Sequence, residues 1–81
     1  MEASPETVFG EVLRRIRRER DLSQEALADL AGVTRNHMSE LERGRREPRL
    51  GTLVRIADAL GMGVGELLVL FDLKRASLTS A

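Results

Sequence analysis

Residues 32–44, GVTRNHMSELERG, contain side chains of the types that can form specific hydrogen bonds with the edges of nucleic-acid bases. An arginine binds guanine through two hydrogen bonds, an asparagine binds adenine in the same way, and a carboxylate accepts from the cytosine amino group. Arg35, Asn36 and Glu40 provide one side chain of each kind. A mixed set favours the reading of base sequence, whereas a purely basic set would bind mainly to phosphate.

These side chains need a helix that presents them on one face. At about 100° per residue, Met38 and Leu41 share one side of such a helix, while Asn36 and Arg43 point away from it. The spacing therefore predicts a helix over about residues 35–43, held to a core by its apolar residues. Its polar side suits the major groove of DNA, which admits one helix.

The preceding segment predicts a second short helix that packs against the first. Ser23 is a typical capping residue before Gln24, and Gly32 allows the positive φ that closes a helix. Thr34 then caps the next helix, and the small Ala28 lets the two helices approach closely. Two short helices joined by a turn containing glycine form the helix-turn-helix pattern.

The remaining chain is also predicted to be helical, which gives an all-α fold of five helices in a single domain over residues 1–81. Ser4 and Pro5 form a typical helix start, because serine caps the first turn and proline is preset at the first helical position. The predicted helices lie at about residues 5–20, 24–31, 35–43, 50–60 and 64–73. Residues 74–81 are expected to form a frayed, flexible tail outside the core of about 5–73.

The last predicted helix, VGELLVLFDL, is apolar on more than one face. Leu67 and Leu70 are expected to reach the core, while Val64, Leu68 and Phe71 form a second stripe at positions i, i+4 and i+7. This stripe is either local core or a dimer interface. We favour the interface, because a small domain cannot bury two faces of its last helix and exposed apolar patches usually mark contacts.

Arginines concentrate in two clusters, although the formal net charge is zero. The clusters are LRRIRRER at residues 13–20 and RGRREPR at 43–49. Charge runs alone are more often a solvated helix surface, but these two could form a basic face that binds phosphate, with Arg46 among the contacts. Arg14, Arg15 and Arg18 are expected to point outward, either into solvent or towards distal phosphates.

Other classes of function are disfavoured by the composition. The absence of cysteine and the single histidine make a zinc site unlikely and exclude a disulfide. No segment approaches the roughly 20 apolar residues that span a bilayer, and the acidic start has no signal-peptide core. The GMGVG segment follows no strand, which argues against a nucleotide-binding loop. We expect a cytoplasmic protein that is not an enzyme, with no cofactor, metal, membrane contact or small-molecule ligand.

Two residues of the polar strip have plainer interpretations. His37 is expected to be a surface residue rather than a ligand or catalyst, because no partner of suitable chemistry accompanies it. Glu40 could contact a base, remain solvated, or pair with Arg43 three residues later.

The stretch LSQEALADLAGVTRNHMSELERGRREPRLGTLVRIADALGM, residues 22–62, resembles the lambda-repressor-like, or Xre-type, helix-turn-helix domains. The opening LSQ, the glycine turn, the Glu-x-Gly ending at residues 42–44 and ADALGM all lie at the spacing of that family. The likeness covers roughly residues 9–70. Two positions depart from it: Gly51 lies where a better helix former is common, and Gly63 lies where a capping Ser or Asp is usual.

The resemblance implies roles for individual residues. The positions that read bases are occupied by Arg35, Asn36 and Glu40. The positions that contact phosphate or flank the bases are occupied by Gln24, Thr34, His37, Ser39 and Arg43, of which Gln24 also braces the recognition helix. Arg17 and Glu42 match a structural ion pair between the first and third helices.

The resemblance also implies a dimeric, sequence-specific transcriptional regulator that reads a near-palindromic operator on double-stranded DNA and controls its own expression. Small stand-alone relatives include restriction–modification controller proteins, phage repressors and antitoxins. With no room in 81 residues for a separate ligand-sensing domain, activity is expected to depend on the regulator's own concentration. The alternative is a protein-interaction adaptor or antitoxin whose fifth helix and tail bind a partner protein.

Overall fold

The computed structural model describes residues 3–79, which form five α-helices and no strand. The helices are α1 (Pro5–Glu19), α2 (Gln24–Ala31), α3 (Arg35–Glu42), α4 (Leu50–Ala59) and α5 (Val64–Thr79). The all-α, five-helix prediction is confirmed. Each helix begins at the predicted residue, and the first four end within one residue of the predicted position.

Side-chain caps explain where the first three helices begin. The hydroxyl oxygens of Ser4, Ser23 and Thr34 each accept a hydrogen bond from the backbone N–H three residues later, at 3.1, 3.0 and 3.0 Å. The first turn of a helix has unpaired N–H groups, so these oxygens replace the missing partners. The positions of the caps can be read from the sequence because each acts on its own first turn.

The turn between α2 and α3 depends on a glycine. Gly32 has a φ of +70°, in the left-handed region that residues with a Cβ rarely adopt. The N–H of Val33 then donates to the carbonyl of Ala28 at 3.0 Å, which closes the end of α2. Only Val33 and the capping Thr34 separate this glycine from α3, so the second helix leaves at a fixed angle.

The start of α5 is capped differently from the family pattern, in which a Ser or Asp is usual at the position of Gly63. The N–H of Gly63 donates to Oε1 of Glu66 at 3.0 Å. This is the half of a capping box that the glutamate supplies, and it accounts for a helix start at Val64 without a capping side chain.

The predicted end of α5 at residue 73 is wrong, because the helix continues to Thr79. Charged side chains beyond residue 73 bind to earlier parts of the fold. The Lys74 ammonium lies 4.0 Å from a carboxylate oxygen of Glu11, and the Arg75 guanidinium lies 5.6 Å from the centre of the Phe71 ring. A helical segment with few apolar residues is thus held by polar and cation–π contacts. Residues 80 and 81 lie outside the described residues.

The core lies where all five helices meet. It is formed by aliphatic side chains that are almost completely inaccessible to solvent, among them Leu13, Ile16, Leu27, Met38, Leu41, Ile56 and Leu67. The apolar residues expected to anchor α3 are part of this cluster. Close packing of this kind fixes the orientation of α3 relative to the other helices.

Gly10 marks the closest approach of α1 to α3. A Cβ at this position would lie 2.5 Å from the carbonyl oxygen of Glu42 and 2.6 Å from that of Leu41. Both obstacles are backbone atoms at the end of α3, so they cannot move aside as a flexible side chain can. The absence of a side chain at residue 10 therefore sets the distance between α1 and α3.

We expect Gly10→Ala to destabilise the domain by about 1–3 kcal/mol, because overpacking forces the two helices apart. In a helix, alanine normally stabilises relative to glycine. Gly65→Ala is the matched control, because a Cβ there meets nothing within 4 Å, and it should stabilise by about 0.4–1 kcal/mol. Urea denaturation of both variants measures the difference. Equal gains in stability would contradict the close contact.

Candidate DNA-binding surface

One face of α3 is buried, and its other side chains range from half-buried to exposed. Met38 and Leu41 have no accessible surface, whereas Asn36 is exposed on the opposite side and Arg35 is exposed at the edge of the buried face. Arg43, directly after the helix, is also exposed. The side chains with base-reading chemistry are therefore available to a duplex, on a helix that is fixed from behind.

A buried carboxylate fixes the end of α3 to the two preceding helices. The Glu42 side chain is fully buried and accepts hydrogen bonds from Nε and Nη2 of Arg17, the latter at 3.0 Å, and from Nε2 of Gln24 at 3.0 Å. Arg17 also donates through Nη1 to the carbonyl of Leu22 at 2.7 Å. The ion pair implied by the family resemblance is thus present in the structure, and Gln24 braces α3 through it.

Burial and the neighbouring positive charge shift the pKa of Glu42 in opposite directions. Burial alone would raise the pKa of its carboxyl, but the hydrogen bonds from Arg17 and Gln24, together with the positive charge of Arg17, hold that pKa below its ordinary 4.5. The hydrogen bond to Glu42 likewise raises the pKa of Arg17, although burial opposes it. Both groups are therefore charged at neutral pH, and the pair is satisfied despite its burial.

Arg14 adds a further contact that the sequence did not indicate. Its Nε lies 3.5 Å from Oε1 of Glu42, with the side chain only partly exposed. Arg14 is therefore half-buried and reaches Glu42 as well as solvent, whereas Arg15 and Arg18 are exposed as expected. The reason is the close approach of α1 and α3, which brings the carboxylate within reach of two successive turns of α1.

The exposed side of α3 has its own polar network. Oε1 of Glu40 accepts from Nη2 of Arg46 at 3.3 Å and from Nδ2 of Asn36 at 3.4 Å. The guanidinium near Glu40 thus comes from Arg46, not from Arg43 as helical spacing suggested. The chain after α3 turns back over the helix, which brings three candidate DNA-contacting residues together.

His37 and Thr34 lie at the N-terminal part of the strip. Burial lowers the pKa of His37 below its ordinary 6.5, and the positive charges of Arg46 and Arg55 add to this effect while Glu40 opposes it. The imidazole is therefore neutral at pH 7 and suits hydrogen bonding rather than charge neutralisation. The Thr34 oxygen accepts from the His37 N–H, which leaves the hydroxyl hydrogen to donate to another acceptor.

Arg55 supports the turn and was not identified from the sequence. Its Nε donates to the carbonyl of Ala31 at 3.1 Å, and its Nη2 donates to Oγ1 of Thr52 at 3.3 Å. The carbonyl end of α2 is thereby tied to α4. The available signal was a basic residue within the otherwise largely apolar LGTLVRIADA, but the sequence gives no indication of its distant partner.

The three residues of the predicted apolar stripe on α5, Val64, Leu68 and Phe71, do not share one environment in the structure. Val64 and Phe71 pack against the core of their own chain, and the Phe71 ring meets Phe9 edge to face at 6.3 Å. Leu68 remains 37% exposed. The most exposed apolar side chains of the central part of α5 are instead Val69 at 56% and Leu73 at 61%. These two lie one turn apart, on the side of α5 that faces away from the core.

Residues 3–79 contain neither a candidate metal site nor a membrane-spanning helix. No group of three or more histidine or acidic side chains in this range could hold a metal ion. None of its helices is long and apolar enough to cross a membrane.

The chain matches a known family over most of its helices. The model of the helix-turn-helix family covers residues 13–67. The uncharacterized HTH-type transcriptional regulator y4dJ of Sinorhizobium fredii is 41% identical over 65 residues, which are 80% of this chain and 84% of that protein. Four further curated relatives are longer proteins, of which the chain spans 26–56%.

Solved structures of related regulators have the same fold. The clp gene regulator ClgR from Corynebacterium glutamicum superimposes with a TM-score of 0.88 at 30% identity, over 95% of this chain and 82% of that one. The restriction-modification controller protein C.AhdI from Aeromonas hydrophila gives 0.73 at 39% identity, over 75% of this chain and 92% of its own. The chain therefore belongs to the helix-turn-helix family of DNA-binding transcriptional regulators.

Proposed function

We propose that the protein is a sequence-specific regulator that inserts α3 into the major groove of its operator. The observation that carries this proposal is the exposed strip of mixed base-reading side chains on a helix whose other face is wholly buried. Arg35 and Asn36 are the base-contacting residues, because both are exposed and each matches one purine edge. Gln24, Thr34, His37, Ser39, Arg43 and Arg46 surround them as phosphate or flanking contacts.

We further propose that two copies associate through α5. Val69 and Leu73 of α5 are exposed on the side away from the core, and neighbouring exposed apolar side chains usually mark a contact. A second copy would cover them, with Leu68 at the edge of the interface. A two-fold dimer presents two copies of α3 to half-sites about 34 Å apart and so reads a near-palindrome.

The biological role that best fits this proposal is concentration-dependent control of a promoter, in the manner of a small controller protein or phage repressor. The similarity to C.AhdI, a restriction-modification controller, supports this class. Occupancy of the operator would follow dimer concentration, and the upstream DNA of the protein's own gene is the first operator to test. Such a regulator would work in the cytoplasm, on the nucleoid.

Fluorescence anisotropy tests the central proposal directly. The purified protein is titrated with its own upstream DNA and with a scrambled duplex, at low and at physiological salt. A preference of about 10³-fold or more at physiological salt is expected for a specific regulator. Equal binding that disappears with salt would mean attraction to phosphate alone. Failure to enrich any site from a random pool would favour the adaptor alternative, in which the exposed face of α5 binds another protein.

The dimer proposal predicts different outcomes for two neighbouring substitutions. Leu73→Glu should give a folded monomer, because it places a charge in the interface without touching the core. Phe71→Glu should instead lower the melting temperature, because the ring packs against Phe9 and the core. Light scattering and thermal denaturation of both variants distinguish these effects. A dimeric Leu73→Glu together with a stable, monomeric Phe71→Glu would place the interface on the predicted Val64, Leu68 and Phe71 stripe.

A further inference from the structure

Glu40 is the centre of the exposed hydrogen-bond network on α3. Its Oε1 accepts from Asn36 at 3.4 Å and from Arg46 at 3.3 Å. Asn36 precedes it by one helical turn, whereas Arg46 lies in the segment between α3 and α4. One carboxylate oxygen therefore links a proposed base-contacting amide to a proposed phosphate-contacting guanidinium.

DNA groups can replace the Glu40 carboxylate in these contacts, because the contacts contribute little to the stability of the fold. The side chains of Arg46 and Glu40 are 48% and 33% exposed, and both distances are at the long end for hydrogen bonds. Exposed pairs of this kind contribute little, because water and salt screen them. A DNA phosphate could replace the carboxylate at Arg46, and an adenine edge could replace it at Asn36.

A carboxylate in the groove is also unfavourable wherever a base pair turns an acceptor towards it. Phosphates are anionic, and the purine N7 atoms, guanine O6 and thymine O4 are all acceptors that repel it. Only the amino groups of cytosine and adenine can donate to it. The same charge that holds Arg46 and Asn36 in the free protein is therefore unfavourable wherever the base pair within its reach turns an acceptor, rather than an amino group, towards it.

We propose that Glu40 is a positioning residue that sets specificity by neutralising Arg46 and holding Asn36 until a duplex supplies partners for both. This inference rests on the proposed function and assigns Glu40 a role other than the direct reading of one base. Selectivity then comes from a repulsive group as well as from attractive ones. Non-specific DNA supplies a phosphate for Arg46 but no adenine edge for Asn36. Replacing the contacts of Glu40 therefore favours binding less on non-specific DNA than on the operator.

Glu40→Gln tests the proposal, because it removes the charge and keeps the shape. Binding is measured on a 30-bp duplex carrying the best site selected from a random pool and on a scrambled duplex of the same composition, across a salt series. Affinity for the scrambled duplex should rise about fivefold near 0.15 M salt, and its log–log salt slope should steepen by about 0.9, as expected for one additional neutralised phosphate. Affinity for the selected duplex should rise less, so the ratio between the two falls.

Arg46→Gln and the double variant show whether Glu40 acts through Arg46. In the Arg46→Gln background, Glu40→Gln should no longer steepen the salt slope. Thermal denaturation should show all three variants to be folded, because each altered side chain is at the surface. A slope that steepens equally without Arg46 would overturn the proposal, since Glu40 would then act only through its overall charge.

Two other results would also overturn it, and both can be distinguished from failure of the proposed function. An unchanged scrambled affinity with a loss confined to one base pair of the selected site would make Glu40 a direct base reader. Unchanged binding to both duplexes would mean that Glu40 has no role in recognition. A wild-type protein that binds neither duplex at low salt would instead refute the DNA-binding proposal itself, and the role of Glu40 with it.

Discussion

Replacing Arg17 by methionine is expected to lower the free energy of unfolding by about 3–5 kcal/mol at pH 7, because it leaves the buried Glu42 carboxylate without its main partner. A domain of this size loses about 4–8 °C of melting temperature per kcal/mol. Small domains are only marginally stable, so this one change could unfold a large part of the population. Methionine keeps much of the length of the arginine stem, which limits the contribution of lost packing.

The pH dependence separates the charge effect from packing. In the wild type the Glu42 pKa is below its ordinary 4.5, so its contribution is fully present above that pH and is lost as the pH falls through the folded-state pKa. In Arg17→Met, burial is no longer offset by the arginine, so the folded-state pKa should lie above 4.5. The destabilisation is then relieved as the carboxyl takes up a proton. The difference between variant and wild type should therefore shrink between pH 7 and pH 4.

Arg18→Met is the matched control for this experiment. Arg18 is the next residue of α1 but is exposed, and the same substitution there should change stability by no more than about 0.5 kcal/mol. Chemical denaturation of the three proteins at several pH values provides the measurement. A loss in Arg17→Met that stays constant down to pH 4 would indicate that packing, rather than the ion pair, holds α3 in place.

The second large effect is expected for Arg35→Ala on DNA binding. A bidentate contact between arginine and guanine contributes about 1–3 kcal/mol of discrimination, and a dimer makes it in both half-sites. The loss on a palindromic operator should therefore be about 2–6 kcal/mol. The variant should remain folded, because Arg35 is exposed at the first position of α3 and the Thr34 cap does not involve its side chain.

Arg35→Lys separates charge from geometry. Lysine keeps the positive charge but cannot form the same planar pair of hydrogen bonds, so it should keep most of the salt dependence and lose preference at one base pair of each half-site. Site selection from a random pool with wild type and both variants measures this preference. If Arg35→Ala weakens binding equally on all sequences, Arg35 contacts phosphate rather than a base.

Features that depend on interactions between residues close in sequence could be predicted, whereas those that depend on distant residues could not. Caps and the glycine turn act within four residues, so Ser23, Gly32 and Thr34 located the helix-turn-helix and its exposed strip correctly. The end of α5 was missed because Lys74 is held by Glu11, far away in sequence. For Glu40, the sequence left a base contact, solvation and pairing with Arg43 open, whereas the path of the following loop brings Arg46 to it.

The pair of Arg17 and Glu42 shows what a family resemblance adds. The residues are 25 positions apart, and local patterns could place each only at the edge of a buried face. The likeness to lambda-repressor-like domains supplied the pairing. It gave no indication of Arg14 and Arg55, whose contacts to Glu42 and to the carbonyl of Ala31 became apparent only from the packing of α1 and α4.

Because different residues of α3 anchor the helix and form its exposed strip, the DNA specificity of such regulators can change during evolution without loss of the fold. Met38, Leu41 and Glu42 hold the helix in place, and none of them belongs to the strip that faces the duplex. Residues 35, 36 and 39 can therefore change with little cost to folding, so a duplicated gene could acquire a new operator in a few steps while keeping its scaffold. A library randomised at these three positions should yield mutually orthogonal regulators on one unchanged framework.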